Sequence, residues 1–278
     1  MKTQFTVQNW KVNLAQIPEE DSFLSSCNTL TVADGVTRDP SESLPDIGSL
    51  FGKVEFALNY PRPSPAKHVA DIFCSTSLDF LSKSHSVNLD SISEAFKQAN
   101  QAIAKYNLEN LPNPDYLTND FAGCVSALAN ITQDVVNWGY ICDSGLAIFD
   151  KSGDLIFKTE DQGPTKQDKY IWQDTGLKDN SWENPLARKI IREKYRNNPS
   201  ELHSFGVLTG EPSALNYVQT GQEYFKPGDQ VIVYTDGLEK VIESGKFADE
   251  LRKGPKAKLR KICQRNVATE GTLIHYSS

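Results

Sequence analysis

The sequence predicts an α+β fold built on antiparallel sheet. Three observations carry this expectation. Four β-rich stretches follow one another between Phe121 and Lys158, further strand-like runs occur near both ends of the chain, and two helical patterns lie side by side between strands instead of alternating with them. Strands at both ends mean that the sheets are assembled from the whole chain, so its 278 residues read as one domain, with no Gly-, Ser- or Pro-rich linker dividing it.

In chain order, short β-prone runs at residues 5–7 and 29–33 come first. A helix is expected from Pro65 to about Leu81, with Val69, Ala70, Phe73 and Leu78 on its apolar side. A second spans Ser91 to Tyr106, where Ile92, Ala95, Phe96, Ala99, Ile103 and Tyr106 share a face and Ser91 with Glu94 form a capping-box pattern. The runs FAGCVSALA, VVNWGYI, GLAIF and DLIFK, joined by short polar turns, read as an antiparallel meander. Residues 160–204 are hydrophilic, carry Trp172 and Trp182, and include Asn184-Pro185 as a helix start; they read as an insertion on the sheet core. Strands at 205–208, 230–235 and 272–276 follow. Between the last two, residues 246–265 hold eight Lys or Arg against Asp249 and Glu250, a local charge of +6.

Composition removes several chemistries. The net charge of −7 argues against a protein that coats nucleic acid or an anionic membrane. No apolar run approaches the roughly 20 residues of a membrane span and no leader follows Met1, so a cytoplasmic protein is expected. The five cysteines are odd in number and widely spaced, and the residues six places after each are Ala33, Phe80, Asn130, Ile148 and Thr269, never the Arg of a cysteine phosphatase. GxGxxG, GxxxxGK[ST] and HExxH are absent, and four scattered histidines make no histidine metal site. Oxygen chemistry is left.

Aspartates stand where strand-like runs end: Ala33-Asp34-Gly35, Cys142-Asp143-Ser144 and Thr235-Asp236-Gly237, while Glu19-Glu20-Asp21 precedes Ser22-Phe23-Leu24. Any one Asp-Gly pair can be a simple turn. Together, carboxylates without His or Cys describe a site for hard dications such as Mg²⁺ or Mn²⁺, which need surrounding anions to sit close together.

The order of these motifs resembles the metal-dependent protein phosphatases of type 2C, in a divergent, bacterial-like form. The resemblance spans nearly the whole chain and includes Phe225-Lys226-Pro227-Gly228-Asp229 as the approach to the late Asp-Gly. It implies a four-layer αββα sandwich, two antiparallel sheets flanked by helices, a flap-like role for the insertion at 160–204, and hydrolysis of phosphoserine or phosphothreonine by water activated between two Mn²⁺ or Mg²⁺ ions. Carried over, Asp34 bridges both ions, Asp21 and the Gly35 carbonyl complete one shell, and Asp236 serves the other. Glu20 stands behind them, and Asp143 matches a position that can hold a third ion. The implied partner is a phosphorylated protein met by a monomer, with neither nucleic acid nor membrane.

The match has gaps. The usual late metal Asp is Thr269, so the adjacent Glu270 is the substitute ligand expected here. No basic residue lies in 13–18, where the family carries a phosphate-binding Arg, and Arg38 is the expected replacement. A His after Asp-Gly is replaced by Val36, which leaves water to protonate the leaving group. These departures keep a second reading open, a type 2C-like fold that has lost efficient catalysis and serves as a binding or regulatory module. A nucleic-acid phosphodiesterase drawn by the basic segment is a third.

Overall fold

Strands that are apolar on both faces must be covered on both, and here each sheet has a partner sheet on one side and helices on the other. The computed structural model describes residues 2–9, 19–36, 50–111, 113, 120–176, 189–224, 226–253 and 258–277. One sheet has the order β1 (Lys2–Gln8), β10 (Glu270–Ser277), β9 (Gln230–Tyr234), β6 (Gly145–Phe149), β7 (Leu155–Lys158). The other runs β2 (Ser22–Ser25), β3 (Thr29–Val36), β4 (Gly123–Ile131), β5 (Val135–Ile141), β8 (Gln219–Tyr224). Every pairing is antiparallel.

Three apolar clusters give the layers. Leu30 and Val32 of β3 meet Val231 and Val233 of β9 and Ile274 of β10 between the sheets. On the outer face of the second sheet lie α2 (Pro65–Lys83) and α3 (Leu89–Asn110), which place Phe73 and Phe96 5.1 Å apart between ring centroids against Cys124 and Leu128 of β4. The first sheet is covered by α5 (Glu239–Ile242), α6 (Gly245–Leu251) and α7 (Leu259–Asn266) through Val241, Phe247, Leu251, Leu259 and Cys263. β4 and β9, central in their sheets, are buried at every position. Two further helices are α1 (Leu50–Asn59) and α4 (Pro164–Thr175). No helix among the described residues is long and apolar enough to cross a membrane.

Several expectations are corrected. The run from Phe121 to Lys158 is not one meander: β4 and β5 pair in one sheet, β6 and β7 in the other, and Cys142-Asp143-Ser144 crosses between them, with Cys142 in the left-handed region at φ 68°. The capping box of α3 is made by Asn88 and Ser91, one turn earlier than Ser91 with Glu94. Residues 205–208 form no strand; single bridges join Phe205 to Arg196 and Leu208 to Cys124. In the flap-like stretch, residues 177–188, with Trp182 and the Asn184-Pro185 helix start, lie outside the described residues. The part that follows is anchored in the core: Ile191 and Tyr195 join the helix-side cluster, and Arg192 and Arg196 pair with buried Asp120. In the basic stretch, Arg252 is paired with Asp154 and Asp249, and Lys253 with Glu250.

Candidate metal centre

The period of two along β3 sends Leu30 and Val32 into the space between the sheets, so Asp34 follows on the same face, at the strand's end. Register brings the other acids to that end. Ser22 pairs with Ala33, which sets Asp21 beside it; Ser126 pairs with Ile141, ahead of the Asp143 crossover; and Gly145 pairs with Tyr234, two residues before Asp236. Asp21 is buried, Asp34 and Asp143 are half-buried, and Asp236 stands at the open rim.

These acids feel one another. Asp34 is pushed well above the ordinary carboxyl range by burial and then by the charges of Asp21, Asp236 and Asp143. Burial followed by Glu270 raises Asp21 to about 8, and burial followed by Asp236 raises Asp143 to about 7. Asp236 is raised as well, because the protein around it strips water from its carboxyl although its surface is partly open.

The supports are specific. Thr235 Oγ1 donates to Asp21 Oδ2 at 2.8 Å and accepts the Thr272 amide at 2.8 Å, which ties β9 and β10 to the start of β2. Glu270 Oε1 accepts the amides of Asp21 at 2.9 Å and Glu20 at 3.1 Å, and its Oε2 accepts from Gln8 at 3.0 Å. Tyr60 donates to buried Glu20 at 2.9 Å. The glycines serve close approach. A Cβ on Gly35 would lie 2.8 Å from the Ala66 carbonyl carbon and oxygen, and one on Gly237 would lie 1.7 Å from the Glu270 carbonyl oxygen. Neither has positive φ, so the Asp-Gly pairs here are packing contacts and not left-handed turns.

No family model matches the sequence and no curated protein does. Solved structures do match along the whole length. The catalytic domain of the serine threonine protein phosphatase PstP in complex with 2 manganese ions aligns with a TM-score of 0.63 over 99% of this chain and 96% of that one, at 15% identity. The chain has the fold of the PPM serine/threonine phosphatases. The PPM Ser-Thr phosphatase MsPP from Mycobacterium smegmatis, in complex with cacodylate, aligns at 0.56 over 100% and 97% with 15% identity. PppA, a regulatory component of the T6SS in Pseudomonas aeruginosa, aligns at 0.59 over 100% and 97% with 13% identity. This is the αββα architecture that the type 2C resemblance implied.

Within this PPM fold, the donor set is all oxygen, which suits hard dications. Among the described residues no three acids stand ready-made around a single ion position. Two features nonetheless fit cations: the mutual repulsion that lifts the acids, and Asp143 Oδ1, buried with no hydrogen-bond partner among the described residues. Gly163, against which Asp143 packs, leaves no room for a side chain there, since its Cβ would meet Asp143 Oδ2 at 2.7 Å. Asp21, Asp34, Asp143 and Asp236 are thus brought together, with Gly35 behind Asp34. Glu270 lies next to Asp21 with both oxygens already accepting protein hydrogen bonds. Arg38 lies outside the described residues. Sequence reasoning missed Thr235 and Tyr60; only the place of Thr235 beside Asp236 was a signal.

Proposed function

We propose that this chain is a metal-dependent phosphomonoesterase that acts on phosphoserine or phosphothreonine in a protein substrate, as one domain, a monomer in the cytoplasm. The observation that carries the reading is the convergence of Asp21, Asp34, Asp143 and Asp236 from four separate stretches of chain on one end of a PPM fold, with Asp143 Oδ1 left unpartnered. Asp34, Asp21, Asp236 and the Gly35 carbonyl are the residues that would hold two Mn²⁺ or Mg²⁺ ions, and Asp143 a third. Bound there, the ions would lower the pKa of water and draw charge from phosphoryl oxygens.

The protein's own work is positioning. Thr235 and the Glu270 carboxylate fix Asp21 from the side-chain and backbone directions, and Tyr60 fixes Glu20. Glu270 is the sixth candidate ligand, and it reaches the site at least through the backbone it holds. Arg38, four residues past Asp34, is proposed to bind the phosphoryl group by a guanidinium fork; an Arg38→Ala variant with unchanged KM for a phosphopeptide removes it from that role. Hydrolysis of an aryl phosphate, assayed with and without Mn²⁺ in the parent, Asp34→Asn and Asp236→Asn, tests the whole reading. We expect Mn²⁺-dependent turnover that falls at least about 100-fold in both variants; turnover indifferent to metal and to both substitutions refutes it.

A second reading has its own support. With Thr269 in place of a carboxylate and Glu270 Oε1 accepting two amides, the site has fewer free anions than its fold relatives' chemistry calls for, which suits a binding or regulatory module. Mn²⁺ binding seen by direct titration, with no turnover in that assay, would favour it.

A further inference from the structure

Beside the acid cluster, α2 and β2 enclose a cavity of about 560 Å³. Glu19, Asp21 and Ser22 line it, Phe23 continues the wall, and Lys67, His68 and Asp71 face it from α2. Lys67 is the sole Lys or Arg in that lining among the described residues.

Two contacts register Lys67 against the acids. The first turn of α2 is packed on the end of β3, where the Ala66 carbonyl occupies the space a Gly35 side chain would need, and Ser64 Oγ accepts the Lys67 amide at 3.0 Å. On the other side, Lys67 Nζ donates to Asp71 Oδ1 at 2.5 Å, and Ser22 Oγ donates to the same oxygen at 2.6 Å. Lys67 is therefore tied through one carboxylate oxygen to the residue after Asp21, with a quarter of its side chain open. An ammonium has three donors and Asp71 takes one. A phosphate monoester dianion entering beside Glu19 and Asp21 meets strong repulsion, and a cation on the cavity wall offsets it.

The geometry points to Lys67 as a second cation, besides the Arg38 proposed above, that receives the substrate's phosphoryl group, with Asp71 and Ser22 as the positioning pair that holds it on the cavity wall. As an enzyme feature this rests on the phosphomonoesterase reading; as an oxyanion site it does not. The test titrates inorganic phosphate calorimetrically into the Mn²⁺-saturated protein and, in parallel, measures KM for an aryl phosphate, in the parent, Lys67→Ala, Lys67→Arg and Lys83→Ala. Lys83 sits on the same helix in an equivalent pair with Asp79, far along from the cavity, and controls for net charge. Loss of one charged hydrogen-bond donor is expected to weaken phosphate binding and raise KM about tenfold or more in Lys67→Ala. Lys67→Arg should stay close to the parent, and Lys83→Ala should be unchanged. Phosphate affinity within twofold of the parent in Lys67→Ala, equal weakening in Lys83→Ala, or a parent that binds no phosphate overturns the assignment. Lys67-dependent phosphate binding without any hydrolysis upholds Lys67 and rejects the phosphomonoesterase; hydrolysis indifferent to Lys67 does the reverse.

Discussion

Thr235 and Glu270 show how much of the centre depends on residues that need not touch a ligand. Thr235→Val keeps the shape but removes the donor to Asp21 and strands the Thr272 amide, so we expect a stability loss of about 1 to 3 kcal/mol. Mn²⁺ affinity should weaken about tenfold, the usual scale for losing a group that orients a ligand; denaturant unfolding and metal titration would measure the two effects separately. Glu270→Gln discriminates between its two possible roles. A glutamine oxygen can still accept the Glu20 and Asp21 amides, so a residue that only holds backbone would leave metal affinity within about threefold, whereas a ligand would lose tenfold or more. Asp34 and Asp236 were legible because each ends a strand-like run, and Asp21 because its Glu-Asp pair precedes them in a recognisable order. Thr235 was not, because a threonine before Asp-Gly reads as the last residue of a strand, and its bond to a residue 214 positions away exists only once the sheets are stacked.

At the scale of elements, α2 and α3 were the most legible part, since each repeats its apolar face over several turns. Phe96 in α3 illustrates the weight they carry: it is fully buried, meets Phe73 and fills the space above Gly139 in β5. Phe96→Ala should cost about 3 to 5 kcal/mol in urea unfolding, while Mn²⁺ binding to the folded fraction at low temperature stays near the parent, because the acids lie on strand ends and not on α3. What could not be read was sheet membership. β4 to β7 look like a continuous meander because each has the same local pattern, and only the three-residue crossover with Cys142 at positive φ sends the second hairpin to the opposite sheet. That crossover carries Asp143 into the centre. β2 and β8 were also missed, being edge strands of mixed polarity whose pattern carries little signal.

At the scale of the whole molecule, the acid cluster makes stability depend on pH in a defined direction. With Asp21 raised to about 8 and Asp143 to about 7, the folded chain keeps protons that the unfolded chain has released above its ordinary carboxyl range near 4. The stability linked to those protons is full below about pH 4 and is lost as pH rises through 7 and 8. The metal-free protein should therefore show a falling urea midpoint from pH 5 to pH 8, and saturating Mn²⁺ should raise it most at the alkaline end, where the carboxylates are already ionised. A midpoint that rises over this interval without metal contradicts the clustering. The pairing of β1 with β10 carries a different consequence, for biosynthesis. Lys2 lies opposite Tyr276 and Gln8 opposite Glu270, so among the described residues β1 meets its sheet partner only after everything between them has been synthesised. At about 5 to 20 residues per second, Phe5 and Val7 of β1 wait roughly 10 to 50 seconds for that cover, a window in which the strand is open to a chaperone.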